Sequence, residues 1–171
     1  MLSAPEPLAA QHAFDNFDSG VPSLDEWLKR RAAANQASGA SRTYLVCETG
    51  HVVGYYGLAS HAVAAVATSG RVRRNMPDPV PVVVLGRLAI ARSHQGLGLG
   101  RALFQDAARR VLYAAETIGI RALLVHALSD DAKAFYLRLG LDPSPLDPMT
   151  LMVTTADLRA AMAQESGRSG A

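Results

Sequence analysis

Cysteine is almost absent from this chain of 171 residues, which contains a single one, Cys47. One cysteine excludes an internal disulfide framework and a cysteine-rich zinc site. Its place in an apolar run, residues 43–47, is typical of a buried and inert thiol. The sequence also lacks an apolar run of membrane-spanning length and a basic, apolar leader at its start. It therefore predicts a soluble cytoplasmic protein with no membrane association and no bound metal.

Lysine is scarce as well, since only Lys29 and Lys133 accompany fifteen arginines. Residues 71–121 contain nine arginines and three acidic residues, a net charge of +6, although the whole chain carries only +2. The planar guanidinium group binds phosphates well, so this clustering indicates an anionic ligand or partner. A preference for arginine codons is the alternative explanation of the composition, but it does not explain the clustering.

The length and composition fit one folded domain. Apolar residues make up 49% and charged residues 19% of the chain, with no internal repeat and no linker. We expect a domain over residues 1–164 and a disordered tail over residues 165–171.

Hydrophobic periodicity predicts alternating helices and strands. Ser23 is a candidate cap of a first helix, and Ser129-Asp130 is expected to cap a later helix that Gly140 ends. A short turn at Thr49-Gly50 is expected to join two strands, and residues 71–81, with three prolines, are expected to form a loop. The predicted strands are residues 43–48, 51–59, 82–90, 122–127 and 151–153, and the later helices are residues 99–117, 130–139 and 154–163. This order predicts an α/β (α+β) fold, a twisted mixed sheet of six or seven strands with helices on both faces, parallel around its two buried central strands.

Three glycines, Gly96, Gly98 and Gly100, lie between the strand that ends near Ile90 and the long helix that follows. Glycine lets the backbone approach a ligand closely, and the free amides of a first helical turn attract an anion. The segment therefore predicts a pyrophosphate site. A dinucleotide-binding fingerprint would need a second βαβ half, and a Walker loop would need a Gly-Lys-Ser/Thr sequence; neither is present.

Gln95, Gly98 and Gly100 fit the pattern Gln/Arg-x-x-Gly-x-Gly/Ala, which resembles the acyl-CoA loop of GNAT acetyltransferases. The resemblance implies the GNAT fold and acetyl-CoA as cosubstrate. It implies that the strand before the loop binds pantetheine. Arg92 and Arg101 flank the loop and are candidates for phosphate contacts, with a solvated surface position as the alternative. The cofactor-binding residues predicted on this basis are Leu88, Ala89, Ile90, Gln95, Gly96, Gly98, Gly100 and Arg101.

The run Asp131-Ala-Lys-Ala-Phe-Tyr resembles a second GNAT signature, in which the tyrosine protonates the departing CoA sulfur. That position is Tyr136 here, and its phenol is protonated at neutral pH. Phe135 is expected to pack. No side chain stands out as a base, and His94 is expected to face solvent. An α-amine next to an ester needs no base, because it is largely neutral near pH 7.

Most of the chain, residues 12–155, resembles one GNAT branch, the aminoacyl-tRNA-acetylating toxins of bacterial toxin–antitoxin pairs. The matching blocks include Phe17-Asp-Ser-Gly, Leu24-Asp-Glu-Trp-Leu, Asn35-Gln, Arg73-Arg-Asn-Met-Pro and Leu85-Gly-Arg-Leu-Ala. The resemblance implies acetylation of the α-amine of aminoacyl-tRNA, which blocks translation. It also implies a homodimer and a ribbon-helix-helix antitoxin. The predicted tRNA-binding residues are Asn35, Arg73, Arg74, Arg87 and Arg92.

Two other functions stay open at this point. A GNAT enzyme acting on a protein N-terminus, a polyamine or a drug amine shares the fold and cofactor, but such amines often need an acidic pocket. A non-catalytic acetyl-CoA-binding module would not need Tyr136.

Overall fold

The computed structural model describes residues 1–169, which form seven strands and six α-helices. The strands are β1 Glu6–Pro7, β2 Arg42–Glu48, β3 His51–Val63, β4 Val80–Ile90, β5 Ala122–His126, β6 Asp142–Pro143 and β7 Thr150–Thr154. The helices are α1 Pro22–Arg30, α2 Ala32–Ser38, α3 Gly70–Arg73, α4 Leu99–Ala115, α5 Asp130–Arg138 and α6 Thr155–Ser169. The strand order in the sheet is β1-β2-β3-β4-β5-β7-β6, which confirms the predicted number of strands.

The chain divides into two compact units. The first contains residues 1–59 and 85–107, and the second contains residues 60–84 together with the chain from residue 108 onward. β3, β4 and α4 each contribute residues to both units.

In the first unit, β2 and β3 form an antiparallel hairpin as predicted. Thr49 and Gly50 form its turn, both with positive φ (49° and 81°), the conformation that two-residue hairpin turns require. The amino-terminal segment lies along this hairpin, where β1 pairs with β2 and the Val52 amide donates to the Ala13 carbonyl. The fully buried side chains of the unit include Leu28, Leu45, Tyr55, Tyr56, Leu85 and Leu103.

In the second unit, β7 pairs antiparallel with β5 on one side and β6 on the other. All five β7 residues are buried, and because successive side chains point to opposite faces, both faces of this strand are covered. A buried cluster forms the core, with Val72, Val80, Val82, Ala122, Leu124 and Met152 as its members.

Three boundary predictions were wrong. α1 begins at Pro22, with Val21 rather than Ser23 at the N-cap, because proline suits a first helical position, where no amide donor is needed. The predicted loop over residues 71–81 begins as the short helix α3, capped by Ser69 and held by the buried Val72. α6 continues to Ser169, so residues 165–169 are helical; residues 170–171 of the predicted tail lie outside the described residues.

Candidate active site

The glycine loop joins β4 to α4 in the first unit, where the sequence predicted it. β4 ends at Ile90, and Gly96 and Gly98 both adopt positive φ (77° and 83°) before α4 begins at Leu99. A Cβ added at Gly96 or Gly98 would meet no atom within 4 Å, so open space lies beside the backbone here. The first-turn amides of α4 have no acceptor within the helix and carry the positive end of its dipole. The loop therefore has the geometry of an anion cradle.

Gln95 holds this loop to two other backbone segments. Its side-chain amide donates to the Ile90 carbonyl at 2.9 Å and to the Ser19 carbonyl at 2.7 Å. The Ala91 amide donates to the Val53 carbonyl at 2.8 Å, which fixes the end of β4 against β3. The side chain predicted to contact the cofactor thus also shapes the loop.

Arg92 holds the same segment from its other side. Its Nε donates to Asp18 Oδ1 at 3.2 Å, and its backbone amide donates to the Asp18 carbonyl at 2.9 Å. The Gly20 amide and the Arg92 guanidinium together lower the pKa of the Asp18 carboxyl below its usual range. Arg92, predicted as a tRNA-binding residue, therefore has an acidic partner within its own unit.

Residues 17–20 are fixed by a second carboxylate. Asp25 in the first turn of α1 is buried and accepts from the Ser19 hydroxyl at 2.6 Å and from the Ser19 amide at 3.1 Å. Phe17 is buried and meets Tyr55 edge-on, with ring centroids 5.7 Å apart. The block Phe17-Asp-Ser-Gly is thus the segment against which the loop residues Gln95 and Arg92 are anchored.

His94 does not face solvent as predicted. Its Nε2 donates to Glu48 Oε2 at 2.5 Å, and the Ser93 hydroxyl lies 2.7 Å from its Nδ1. The hydrogen bond from His94 lowers the pKa of the Glu48 carboxyl. The histidine therefore ties the glycine loop to the end of β2.

Arg87 lies on an aromatic stack in the first unit. Its guanidinium carbon is 4.3 Å from the centroid of the Trp27 ring, whose plane is within 8° of that of Tyr55. Tyr55 is fully buried and donates its hydroxyl to the Leu24 carbonyl at 2.6 Å. Partial burial lowers the pKa of Arg87 without removing its charge. The contact with Trp27 therefore restricts the orientation of the Arg87 guanidinium.

Asn35 belongs to α2, which ends at Gly39 in the left-handed conformation. Its carbonyl accepts from the Ser38 hydroxyl at 3.3 Å and from the Ser41 amide at 3.4 Å. These bonds stabilise the turn that connects α2 to β2.

Tyr136 lies in the second unit, on α5. Ser129 caps this helix by accepting from the Ala132 amide at 3.1 Å, as predicted, and Gly140 follows its end with φ 96°. Tyr136 is buried, and burial raises the pKa of its phenol above the ordinary value of 10. The phenol therefore holds its proton throughout the physiological pH range, as a proton donor must. Phe135 packs edge-on against its ring, with centroids 5.1 Å apart.

The arginine-rich segment of the second unit is held at several points. Arg71 forms an ion pair with Asp157, with Nη2 2.7 Å from Oδ1. Arg121 donates to the carbonyls of Val72 and Arg71, both at 2.8 Å. Arg73 donates to the Thr68 carbonyl at 2.8 Å. Arg73 and its neighbour Arg74 are both exposed on this anchored backbone segment.

A cavity of about 310 Å³ also lies in the second unit. A chain of hydrogen bonds lines it: Thr150 donates to Asp147 at 2.8 Å and lies 2.9 Å from Nδ1 of His126. The single hydroxyl proton goes to Asp147, so Nδ1 of His126 donates to the Thr150 oxygen. The sequence contains no spacing motif that predicts these hydrogen bonds.

The glycine loop, the buried phenol of Tyr136 and the sequence together indicate the class to which this protein belongs. Residues 9–141 match the acetyltransferase (GNAT) family, and the chain belongs to that family. Its seven-stranded mixed sheet is the GNAT fold, and the protein is an acetyltransferase that uses acetyl-CoA.

Individual relatives show which GNAT acetyltransferases this chain is similar to. The tRNA-acetylating toxin of Mycobacterium tuberculosis is 51% identical over 158 residues, covering 92% of this chain and 95% of the relative. The structure of AtaT complexed with acetyl-methionyl-tRNAfMet superposes with a TM-score of 0.86 at 30% identity, covering 94% of this chain and 98% of AtaT. A Tyr-to-Phe mutant of the AtaT toxin, bound to acetyl-CoA and the C-terminus of the antitoxin AtaR, gives 0.80 at 29% identity, covering 93% and 96%.

Within residues 1–169, no helix is both long enough and apolar enough to cross a membrane.

Proposed function

We propose that this protein is the toxin of a toxin–antitoxin pair and transfers an acetyl group from acetyl-CoA to the α-amine of aminoacyl-tRNA. The observation that carries the proposal is the 51% identity, over 92% of the chain, to a tRNA-acetylating toxin. The product cannot donate its amino group in peptide-bond formation, so translation stops.

The residues proposed to bind acetyl-CoA lie in the glycine loop, at the start of α4 and at the end of β4. Amides at the start of α4 and the side chain of Arg101 would hold the pyrophosphate, and open space at Gly96 and Gly98 fits its close approach. Backbone groups of Leu88, Ala89 and Ile90, the last residues of β4, would bond the pantetheine amides. Bound there, acetyl-CoA supplies an activated acetyl thioester.

Tyr136 acts as the general acid in this proposal. The α-amine forms the new C–N bond to the acetyl carbon, the C–S bond breaks, and Tyr136 donates its phenolic proton to the departing thiolate. The nitrogen releases one proton to solvent as it becomes an amide, and the phenolate regains one from solvent. The raised pKa of its buried phenol keeps that proton available. The α-amine has an ordinary pKa near 8 and less beside an ester, so no side chain needs to deprotonate it.

Arginine side chains and Asn35 account for tRNA binding. Arg73 and Arg74 stand exposed on an anchored segment, and Arg87 lies on Trp27. Contacts between arginine and phosphate give affinity without reading sequence, which suits an enzyme that recognises a charged acceptor end. Arg92, which bonds Asp18, would contribute through its remaining guanidinium nitrogens.

The proposed partners follow from the resemblance to the tRNA-acetylating toxins. The sequence resemblance supports a homodimer and neutralisation by a ribbon-helix-helix antitoxin. Charged tRNA is a cytoplasmic substrate, so the cytoplasm is the proposed site of action.

The test presents parallel acceptors to the purified protein with radiolabelled acetyl-CoA: charged total tRNA, uncharged tRNA, polyamines and ribosomal proteins. We expect label on charged tRNA alone, released by mild ester hydrolysis. Replacing Arg73 and Arg74 by alanine should reduce labelling, whereas replacing the exposed α6 residues Arg159 and Arg168 should not. Label on protein or polyamine would contradict the proposal and favour a GNAT enzyme with another acceptor.

A further inference from the structure

The cavity of about 310 Å³ in the second unit has buried and exposed lining residues, which we call its floor and its rim. The floor is Leu124, Ser144 and Thr150, and the rim includes His61, His126, Leu146 and Asp147. Small-molecule sites in proteins measure roughly 300–1,000 Å³. The cavity therefore suits a ligand at the small end of that range.

The two hydroxyl groups of the floor have no proton left for a ligand. Ser144 donates its single hydroxyl proton to the Ala67 carbonyl at 2.5 Å and accepts from the Leu146 amide at 3.2 Å. Thr150 donates to Asp147 at 2.8 Å. A carboxylate that entered the cavity would lose its hydration without gaining a hydrogen bond from either floor hydroxyl.

Apolar side chains supply much of the remaining lining. Leu124 is 2% exposed, and the partly buried Val63 packs against the core cluster to which Leu124 belongs. Leu146, on the rim, is 64% exposed, and Ala67 lines the cavity beside it. A ligand that removed these side chains from water would be stabilised by the hydrophobic effect. The lining therefore favours an uncharged, apolar group.

The charges at the rim largely compensate one another. Hydrogen bonds from the Met149 amide and the Thr150 hydroxyl hold the pKa of the Asp147 carboxyl below its usual range, and Lys133 acts on it in the same direction. The carboxylate is thus charged at neutral pH and repels an acidic ligand. Since Lys133 already offsets its charge, a basic ligand gains little from it.

The cavity shares its supporting elements with the proposed general acid. His126 ends β5 and Ser144 follows β6, so two lining residues stand on either side of α5 in the chain. α5, which carries Tyr136, packs against β7, whose first residue is Thr150 of the floor. The acceptor must bind near its proton donor, and this cavity belongs to the same compact unit as Tyr136.

We propose that this cavity receives the side chain of the amino acid esterified to tRNA and selects uncharged, apolar side chains. The inference rests on the proposed function and adds a specificity site to it. Leu146 and Ala67 are the specificity-determining residues: Leu146 covers the entering side chain, and the small Ala67 leaves room for it.

The test uses one tRNA charged by a ribozyme with glycine, leucine, aspartate or lysine, so that only the side chain differs between substrates. The measured quantity is kcat/KM for acetylation of each ester. We expect the wild type to use the leucyl ester at least about ten-fold better than the aspartyl and lysyl esters, because burying an unpaired charge is costly.

Two variants change the cavity in opposite ways. Leu146→Ala removes an apolar contact, and Ala67→Leu fills space. Each should lower the leucyl-to-glycyl ratio of kcat/KM about ten-fold, the scale on which a hydrophobic pocket discriminates, because glycine has no side chain to place there. The KM for acetyl-CoA should stay constant in both.

Ile118→Ala is the matched control, since Ile118 is an apolar residue of the same unit, 58% exposed and outside the cavity lining. It should keep the wild-type ratio. Circular dichroism establishes that each variant is folded, and the exposed Leu146 position carries the test if Ala67→Leu does not fold.

The outcomes separate this inference from the proposed function. Acetylation of none of the four esters would contradict both. Acetylation with the wild-type leucyl-to-glycyl ratio in Leu146→Ala, or an equal fall in Ile118→Ala, would leave the proposed function standing and overturn the assignment of the cavity. Aspartyl or lysyl esters used as well as the leucyl ester would also overturn it.

Discussion

Gln95 donates its side-chain amide to the backbone carbonyl of Ser19 at 2.7 Å, across 76 residues of sequence. This bond connects two blocks that the sequence resemblance picks out separately, the glycine loop and the segment Phe17-Asp-Ser-Gly. It gives Gln95 a structural role that is distinct from any contact with acetyl-CoA.

Replacing Gln95 with alanine removes the bonds to Ser19 and Ile90. Each neutral hydrogen bond stabilises by about 1 kcal/mol, so the KM for acetyl-CoA should rise roughly ten-fold as the loop loosens. Steady-state kinetics at saturating charged tRNA measure this. Gln164→Ala, on the exposed side of α6, is the control. An unchanged KM in Gln95→Ala would show that the loop keeps its shape without these bonds.

Gly98 and Gly39 offer a matched pair of substitutions. Both have positive φ (83° and 82°) and open space where a Cβ would lie. Alanine at either position should therefore cost about 1 kcal/mol of unfolding free energy through backbone strain alone. Only Gly98→Ala should also weaken acetyl-CoA binding, as measured by isothermal titration calorimetry. Equal acetyl-CoA affinities in the two variants would show that Gly98 has no role in binding acetyl-CoA.

Tyr136→Phe removes the phenolic proton while keeping the buried ring. We expect kcat to fall by roughly 10²–10⁴-fold with little change in acetyl-CoA affinity. Since burial raises the phenol pKa, the wild-type rate should show no loss from tyrosine ionisation up to about pH 10. Tyr113→Phe, which alters an exposed tyrosine on α4, is the control. Near-normal turnover in Tyr136→Phe would exclude the general-acid role.

Trp27→Leu removes the ring on which Arg87 lies. Losing a cation–π contact of about 1 kcal/mol should raise the KM for charged tRNA roughly five-fold, while the acetyl-CoA KM stays constant. Trp27→Phe keeps an aromatic face and should show a smaller effect. If both parameters change together, Trp27 supports the whole unit rather than the orientation of Arg87.

The Arg71–Asp157 ion pair predicts a pH dependence. The guanidinium holds the pKa of the Asp157 carboxyl below its unfolded value of about 3.9. The pair therefore stabilises the fold fully above that value, and the contribution disappears as the pH falls through the lower, folded pKa. Carboxyl NMR titration should give a low midpoint for Asp157 that rises in Arg71→Gln. The same midpoint in both proteins would mean that the pair does not form in solution.

The sequence predicted the elements whose pattern is local. The hairpin turn at Thr49-Gly50, the Ser129 cap and the glycine loop before α4 all depend on residues within a few positions of one another. Two of the boundary errors arose where a nearby residue competed. Proline at position 22 displaced the expected serine cap, and the buried Val72 drew a charged, proline-rich stretch into a helix.

Contacts between distant segments were not predictable from spacing. The bonds from Gln95 to Ser19 and from Arg92 to Asp18, and the position of Arg87 over Trp27, join residues 60–76 positions apart. The hydrogen bonds that join Asp147, Thr150 and His126 also depend on strand pairing. The roles of Tyr136 and the glycines in catalysis and binding remain predictions of the family resemblance, to which the structure adds burial, φ angles and open space.

The identity of the acetylated atom tests the proposed function most directly. Purified protein and acetyl-CoA would be incubated with aminoacyl-tRNA and, in parallel, with the same tRNA carrying the α-hydroxy analogue of its amino acid. Ribonuclease digestion and mass spectrometry would then locate the acetyl group. We predict N-acetyl-aminoacyl-adenosine from the first substrate and no acetylation of the second. Acetyl groups on a tRNA base or ribose, or equal modification of both substrates, would contradict transfer to the α-amine.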